Sequence, residues 1–317
     1  MPHARPSSER PKSVSSLTAC AATPAQFELA EGIIWDDRAD LVRWVDIWKG
    51  RVHSGCLSKR LILDVTTVEI GQTAGAVALA EDGGLLVAGA RCLVTIAVNG
   101  TISYGPDLLG ARERARLNDG SVDPQGRFVV GSLALGEETG TEVLLRISPD
   151  GSIETLRTGI RLSNGVAFSP DGLTIYHVDT LANTISSHSY GPGDFDIEEP
   201  WVPVLADLPH FPDGLTVSRD GSLWVAQWGG SSVRRHSSTG ELLGVVSVLA
   251  TQASCPAFVG PDLDTLAITT AQEGLEDWTD ASGAIFLASV GASGLPAPRW
   301  QGSTTSPFWH AEKEAHA

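Results

Sequence analysis

The fold of this chain is decided by the stretch LSNGVAFSPDGLTIYHVDT, residues 162–180. A short apolar run, 166–168, follows Asn164 and Gly165, and a second run, 173–178, is rich in the β-branched and aromatic residues that strands prefer. The turn between the runs reads SPDG, in which proline presets one backbone angle and glycine accepts a positive one. The stretch therefore predicts a β-hairpin.

The same pattern of glycine, apolar run, polar turn and second apolar run occurs about six times, at a spacing of roughly 42–49 residues that is typical of propeller blades. Five copies have the glycine and the sixth has Pro256 in its place; the residues that precede this position are Glu31, Ala74, Asp119, Asn164, Asp213 and Cys255. A single hairpin is only marginally stable in water, so each copy must pack against its neighbours, and radial closure achieves this. We therefore predict an all-β fold, a six-bladed β-propeller of four-stranded antiparallel blades.

The predicted propeller occupies residues 25–303. The first 24 residues are rich in proline, serine and arginine, and we expect them to form a disordered tail. Residues 304–317 are expected to form a C-terminal tail. Closure of the ring should pair strands from both ends of the chain, with residues 26–29 as the early partner.

Composition and charge exclude several classes of partner. The formal charge of −16 and the pI near 4.8 argue against nucleic acid and against an anionic membrane surface. No apolar run approaches the length of a membrane span, and the stretch 17–25 is too interrupted for a signal peptide. The four cysteines are scattered without a CxxC pair, which predicts free thiols and a cytoplasmic protein.

The residue before the glycine occupies an equivalent position in every predicted blade. If that position is the axial end of the innermost strand, the six side chains converge, and four of them carry oxygen ligands. Buried carboxylates that face one another are costly unless they are paired or bound to a metal. Asp or Asn before Gly can instead shape a turn, the better explanation for any single copy. Oxygen ligands at four of the six equivalent positions, however, favour a bound divalent cation. The candidates are Ca²⁺, Mg²⁺, Mn²⁺ and Zn²⁺.

The motifs EG at 31–32, RLNDGSVDPQGR at 116–127, SNG at 163–165, PDG at 212–214 and GPD at 260–262 resemble the SMP-30/gluconolactonase/LRE family. The resemblance covers about residues 31–270 and implies a six-bladed propeller with one catalytic divalent metal at its axis. It implies Glu31, Asn164 and Asp213 as metal ligands, Asn118 as a further ligand or substrate contact, and Arg116 as a substrate-binding residue. The blade register points to Asp119 rather than Asn118; we follow the family and expect Asp119 to orient its neighbours.

One departure from the family concerns the sugar substrate. The glutamate that helps to hold sugars in animal members would fall near Leu135 and Gly136, where this chain has no acid. Glu137 or Glu138 could replace it after a loop shift. His210 and Trp228 are candidates for the pocket wall, although surface or packing roles are equally compatible with the sequence.

The predicted function is a metal-dependent hydrolase that opens a sugar lactone to the hydroxy acid. Asp213 is the candidate general base, and Arg116 could bind a ring oxygen or developing negative charge. One alternative is a metal-dependent esterase or phosphotriesterase of the same family; another is a non-catalytic propeller that binds Ca²⁺ or a ligand. A third is a propeller recruited to a biosynthetic cyclisation or isomerisation. The expected partner is a small-molecule lactone.

Overall fold

A computed structural model describes residues 14–24, 26–136, 140–276 and 281–305. Within these ranges the chain forms twenty-five β-strands and no helix, so none of the described residues belongs to a helix that could cross a membrane. The first two strands are β1 (Ser15–Thr18) and β2 (Cys20–Ala21). The other strands build six sheets, or blades, in chain order.

The first three blades each consist of four consecutive antiparallel strands. They contain β3 (Ala30–Asp36), β4 (Leu41–Asp46), β5 (Arg51–Ser58), β6 (Leu61–Glu69); β7 (Ala76–Leu79), β8 (Leu85–Ala88), β9 (Leu93–Ile96), β10 (Ile102–Tyr104); and β11 (Ala115–Val122), β12 (Phe128–Ala134), β13 (Glu142–Ile147), β14 (Ile153–Ile160).

The last three blades follow the same plan, except that the sixth has only three consecutive strands. They contain β15 (Ser163–Phe168), β16 (Thr174–Asp179), β17 (Thr184–Ser189), β18 (Val202–Ala206); β19 (Phe211–Val217), β20 (Leu223–Trp228), β21 (Ser232–His236), β22 (Leu242–Ser247); and β23 (Gln252–Val259), β24 (Thr265–Ala271), β25 (Phe286–Ser289). The predicted hairpin is present as β15 and β16.

The first strands of the six blades close a ring around an axis. Each of β3, β7, β11, β15, β19 and β23 contacts the next, and β23 contacts β3. This arrangement confirms the predicted six-bladed β-propeller. Apolar side chains fill the spaces between blades, with Trp44, Phe128 and Phe286 among the largest that are fully buried.

Both ends of the chain contribute to the last blade, as predicted, but through a different segment. The outermost strand of that blade is β2, which pairs antiparallel with β25. Residues 26–29 form no strand, but the N–H groups of Gln26 and Phe27 each donate to the Gly283 carbonyl at 3.1 Å, and an isolated bridge joins Leu29 to Ala271. The expectation of a disordered tail is wrong for β1 and β2, because β1 also adds in parallel to the outer edge of β22.

The C-terminal part of the described chain returns across the end of the ring at which the innermost strands finish. Bridges join Gly294 to Ser218 and Trp300 to Ala80. Thr304 is buried and its hydroxyl contacts both carboxylate oxygens of Asp82 at 2.9 Å, so the ordered chain passes the predicted boundary at 303.

A cavity of about 560 Å³ lies along the axis inside the ring. Apolar residues of the innermost strands line most of it, and the returning segment contributes Leu295 and Pro298. Asp119 and Cys255 are among the few polar side chains in this lining. The axial cavity therefore reaches the positions at which the sequence places the candidate site.

Candidate active site at the propeller axis

The side chains at the predicted axial position lie at β-bulges of the innermost strands. A bulge sets two residues opposite one and redirects a side chain. The pairing register shifts at this position in five of the six blades: Glu31/Ile34, Leu117/Gly120, Asn164/Val166, Pro212/Leu215 and Ala253/Pro256. The remaining blade has Ala74 there, and β7 pairs with β8 without a shift. The bulges thus coincide with the blades that carry polar side chains or a thiol.

The glycine that follows the axial residue is required by the close approach of neighbouring strands. A Cβ atom on Gly165 would lie 2.7 Å from the backbone oxygen of Asp213, and one on Gly75 would lie 2.5 Å from that of Asn118. Any larger residue would therefore push two blades apart at the axis. This packing requirement explains why glycine recurs in the sequence pattern.

Three carboxylic acids meet in this region. Glu31, Asp119 and Asp213 are all buried, and the side chains of Glu31 and Asp213 are in hydrogen-bond contact. Burial, together with the neighbouring acids, raises the pKa of Glu31 and of Asp213 well above their usual values, and burial raises the pKa of Asp119 to about 6. Such a cluster favours a bound cation or a retained proton.

Two asparagines form the adjacent side of the site. The Asn118 amide donates 2.7 Å to the Oδ1 of Asn164 and 2.8 Å to the backbone oxygen of Ser163. The Oδ1 of Asn118 in turn accepts a 2.6 Å hydrogen bond from Arg116. The structure therefore brings together Arg116, Asn118 and Asn164, the residues of blades three and four that the family resemblance implied as parts of the site.

Arg116 is a buried cation at this site. Its guanidinium lies 5.0 Å from the centre of the Trp48 ring, and its Nε atom has no hydrogen-bond partner among the described residues. Burial lowers the pKa of Arg116 to about 10, although the charges of Glu273, Glu31 and Asp213 act in the opposite direction. An unpaired guanidinium nitrogen near the carboxylates of Glu273, Glu31 and Asp213 leaves a donor for a polar ligand.

Trp48 and Glu273 are site residues that the sequence analysis did not identify. Trp48 follows β4 without a local motif, and only the fold brings it to Arg116. Glu273 follows β24, and its backbone N–H donates to the Glu28 carbonyl at 3.2 Å. The acidic composition of the loop after β24 was the one available signal.

The predicted pocket-wall residues have other contacts. His210 is exposed, and its ring packs against Gly230. Trp228 is half-buried against an apolar cluster that contains Leu29 and Ala271. Glu137 and Glu138 lie outside the described residues.

Cys255 lies in the axial position of the last blade and is buried. Burial, followed by the charges of Glu31 and Asp119, raises the pKa of its thiol well above the usual value. Because the thiolate is the reactive form, this environment argues against a nucleophilic role.

The donor set has the chemistry of a site for a hard divalent cation. Within the described ranges, no three His, Cys, Asp or Glu side chains are grouped so that they could hold a metal ion. The candidate set is instead two carboxylates in contact, Glu31 and Asp213, with the amide oxygen of Asn164, which accepts one hydrogen bond and keeps a second lone pair. Oxygen ligands of this kind suit Ca²⁺, Mg²⁺ and Mn²⁺.

Comparison with known proteins gives matches over most of the chain. Relatives include pentonolactonase XacC of Haloferax volcanii, 32% identical over 88% of this chain and 97% of the relative, and a 6-deoxy-6-sulfogluconolactonase of Pseudomonas putida, 31% identical over 86% and 95%. A crystal structure of a calcium-binding protein, regucalcin, from Agrobacterium tumefaciens superposes with a TM-score of 0.81 at 25% identity, over 91% of this chain and 99% of that one.

The family-level match agrees with these relatives. The family described as SMP-30/gluconolactonase/LRE-like region matches residues 29–272, which include all the axial residues of the six blades. The resemblance drawn from the sequence motifs is thereby confirmed. This chain belongs to the SMP-30/gluconolactonase/LRE-like family.

Proposed function

We propose that this protein is a divalent-metal-dependent lactonase that hydrolyses the cyclic ester of a sugar acid. The observation that carries the proposal is the buried contact between Glu31 and Asp213 beside the Asn118–Asn164 pair, at the axis of a propeller related to sugar lactonases. The relatives that share most of the chain are named for sugar lactones, which favours this substrate class over phosphotriesters.

Glu31, Asn164 and Asp213 would hold the cation. A divalent cation bound there would supply Lewis acidity toward the carbonyl oxygen of the lactone. The choice among Ca²⁺, Mg²⁺, Mn²⁺ and Zn²⁺ remains part of the proposal, because the three oxygen donors suit several of these ions.

Asp213 is the proposed general base. Its carboxylate is buried and its pKa is raised, so it can accept a proton from water more readily than an exposed aspartate can. The water oxygen would attack the carbonyl carbon while Asp213 takes one of its protons. The bond between the carbonyl carbon and the ring oxygen then breaks, and the ring oxygen takes up that proton. One water and one lactone thus give one hydroxy acid.

Arg116 is proposed to bind the polar edge of the substrate. Its buried guanidinium is fixed by Asn118 and by the face of Trp48, so it can donate to a ring or hydroxyl oxygen with little loss of side-chain freedom. Donors that are held in place in a poorly hydrated site stabilise developing negative charge more strongly than donors in water.

The experiment that tests this proposal is a pH-indicator hydrolysis screen with sugar and aliphatic lactones. Protein treated with a chelator is refilled separately with each of the four ions, and spontaneous ring opening is subtracted. We expect turnover that requires an ion and favours sugar lactones. The variant Asp213→Asn should lose about 10²–10⁴-fold in turnover while its circular dichroism is unchanged.

The matched control is Asp150→Asn, which changes an exposed aspartate in a turn and should leave turnover unaltered. Turnover without any ion, or an unimpaired Asp213→Asn variant, would contradict the proposal. Failure to hydrolyse any lactone while an ion still binds would favour the non-catalytic binding propeller.

A further inference from the structure

Thr180 follows directly after β16, and its hydroxyl joins the candidate ligand Asn164 to the strand that carries Asp213. The residue is buried. Its Oγ1 accepts a 2.8 Å hydrogen bond from the Nδ2 of Asn164 and donates a 2.8 Å hydrogen bond to the backbone oxygen of Pro212, the residue before Asp213. One hydroxyl thus connects the ligand of blade four to the strand that carries the ligand of blade five.

The direction of these hydrogen bonds is fixed by chemistry. A backbone carbonyl can only accept, so the single hydroxyl proton of Thr180 is used at Pro212. The hydroxyl must then accept from Asn164, which requires the NH₂ end of that amide to face Thr180. The oxygen of Asn164 is consequently turned to the opposite side, where it accepts from Asn118 at 2.7 Å.

The other end of the chain of hydrogen bonds has a fixed direction as well. Arg116 can only donate, and it donates to the Oδ1 of Asn118 at 2.6 Å. The NH₂ group of Asn118 is therefore left to donate to Asn164 and to the carbonyl of Ser163. Reversal of either amide would bring two donors or two acceptors together in a buried site.

We infer that Thr180 is a positioning residue for the candidate site. Its hydroxyl fixes the orientation of the Asn164 amide, so that the oxygen rather than the NH₂ group is available to a cation, and the same order of donors holds Asn118 toward Arg116. This inference rests on the proposed cation site. Removal of the hydroxyl leaves the NH₂ group of Asn164 without this acceptor, so that only the hydrogen bond from Asn118 still orients the amide, although no side chain that touches cation or substrate has been changed.

A matched control is available in blade six. Thr270 is fully buried, its hydroxyl donates to the carbonyl of Ala284 at 2.6 Å, and it accepts from the N–H of Gly283 at 3.1 Å. Like Thr180, it donates to a backbone carbonyl and accepts from an N–H group, but its donor is a backbone N–H and neither bond involves an asparagine of the site. Thr→Val at the two positions removes equivalent contacts from the fold.

The test measures Mn²⁺ binding by isothermal titration calorimetry on chelator-treated protein, with thermal unfolding of every variant as the measure of stability. We expect Thr180→Val to weaken Mn²⁺ binding by about 10–100-fold, the usual effect of losing a hydrogen bond that orients a ligand. Thr180→Ser should restore affinity to within a few-fold of the wild type. Thr270→Val should lower stability to a similar degree and leave Mn²⁺ affinity unchanged.

Several outcomes would overturn the inference. Wild-type Mn²⁺ affinity in Thr180→Val, or an equal loss of affinity in Thr270→Val, would show that the hydroxyl has only a structural role. If Thr180→Val does not fold, Thr180→Ala removes the hydroxyl without adding a methyl group and is judged by the same criteria. Absence of Mn²⁺ binding to the wild type would overturn both the inference and the cation site.

The lactonase proposal can fail separately. If the wild type binds Mn²⁺ and Thr180→Val binds it more weakly, the positioning role is supported even when no lactone is hydrolysed. If Asn164→Ala binds Mn²⁺ as tightly as the wild type, the cation does not use this amide, and the role assigned to Thr180 is rejected.

Discussion

Replacement of Glu31 by Gln should change the stability of the protein in opposite directions with and without a cation. The Glu31 side chain contacts Asp213, and both groups are buried acids. Glutamine has the same shape and can donate a hydrogen bond to the Asp213 carboxylate. At a pH at which both acids are ionised, a contact between two carboxylates would thus become a hydrogen bond to a charged group.

A hydrogen bond to a charged group contributes about 1.5–3 kcal/mol. We therefore expect chelator-treated Glu31→Gln to unfold at a higher temperature than the chelator-treated wild type. At about 1.5 °C per kcal/mol for a chain of this size, the increase is roughly 2–5 °C. The measurement is differential scanning calorimetry at alkaline pH, which favours ionisation of both acids in the wild type.

Addition of a cation should reverse the order of stability. An ion present at 1,000 times its dissociation constant stabilises the folded state by about 4.1 kcal/mol, more than the 1.5–3 kcal/mol expected from the hydrogen bond in Glu31→Gln. The wild type should gain this stabilisation, and Glu31→Gln, which lacks one anionic ligand, should gain little. The control is Glu69→Gln, an exposed acid paired with Arg51, for which we expect changes within about 0.5 kcal/mol in both conditions. Lower stability of metal-free Glu31→Gln, or an equal response to the ion, would refute the reasoning.

Three further predictions concern packing, pH and thiol reactivity. Gly165→Ala should destabilise the fold by about 3 kcal/mol in urea unfolding, because its Cβ would meet three heavy atoms at 2.6–2.7 Å, whereas Gly191→Ala, which faces open space, should have almost no effect. Burial lowers the pKa of His177 well below 6.5, so its contribution to stability is complete above pH 6.5 and is lost as the pH falls toward the folded pKa. The unfolding free energy of the wild type should therefore fall by up to about 1.4 kcal/mol per pH unit below pH 6.5, and that of His177→Gln should fall less steeply. The same slope in both proteins would show that His177 is not the cause of the pH dependence. Exposed Cys20 should react rapidly with a disulfide reagent in the native protein, and buried Cys255 only after denaturation; equal rates would contradict the burial.

The blades could be predicted from the sequence because their signals are local. The turn 169–172 and its flanking apolar runs lie within one stretch, and the structure forms β15 and β16 there. The equivalence of Glu31, Asn164 and Asp213 was also readable, since each precedes a glycine at a regular spacing. Repetition of one local pattern was sufficient for the fold and for the choice of axial residues.

Contacts between blades could not be read in the same way. Thr180 touches Asn164 and Pro212, but nothing in the sequence around it differs from an ordinary strand end. Trp48 reaches Arg116 only because the ring brings loops of different blades together. Pairings of this kind depend on the closed ring, and they leave no periodic signal along the chain.

The N-terminal strands escaped prediction for a different reason. The segment that forms β1 and β2 is short and rich in serine, threonine and alanine, without the alternation of a half-buried strand. It becomes ordered by pairing with β22 and β25, whose edges are available only once the blades have formed. The amino-acid composition of this segment, taken alone, therefore suggested a disordered tail.

Anomalous diffraction from crystals soaked in MnCl₂ tests the cation site most directly. We expect one strong Mn²⁺ peak at the propeller axis, within coordination distance of oxygen atoms of Glu31, Asn164 and Asp213. The absence of a peak there, or peaks confined to acidic side chains on the surface, would contradict the proposed site and the function built on it.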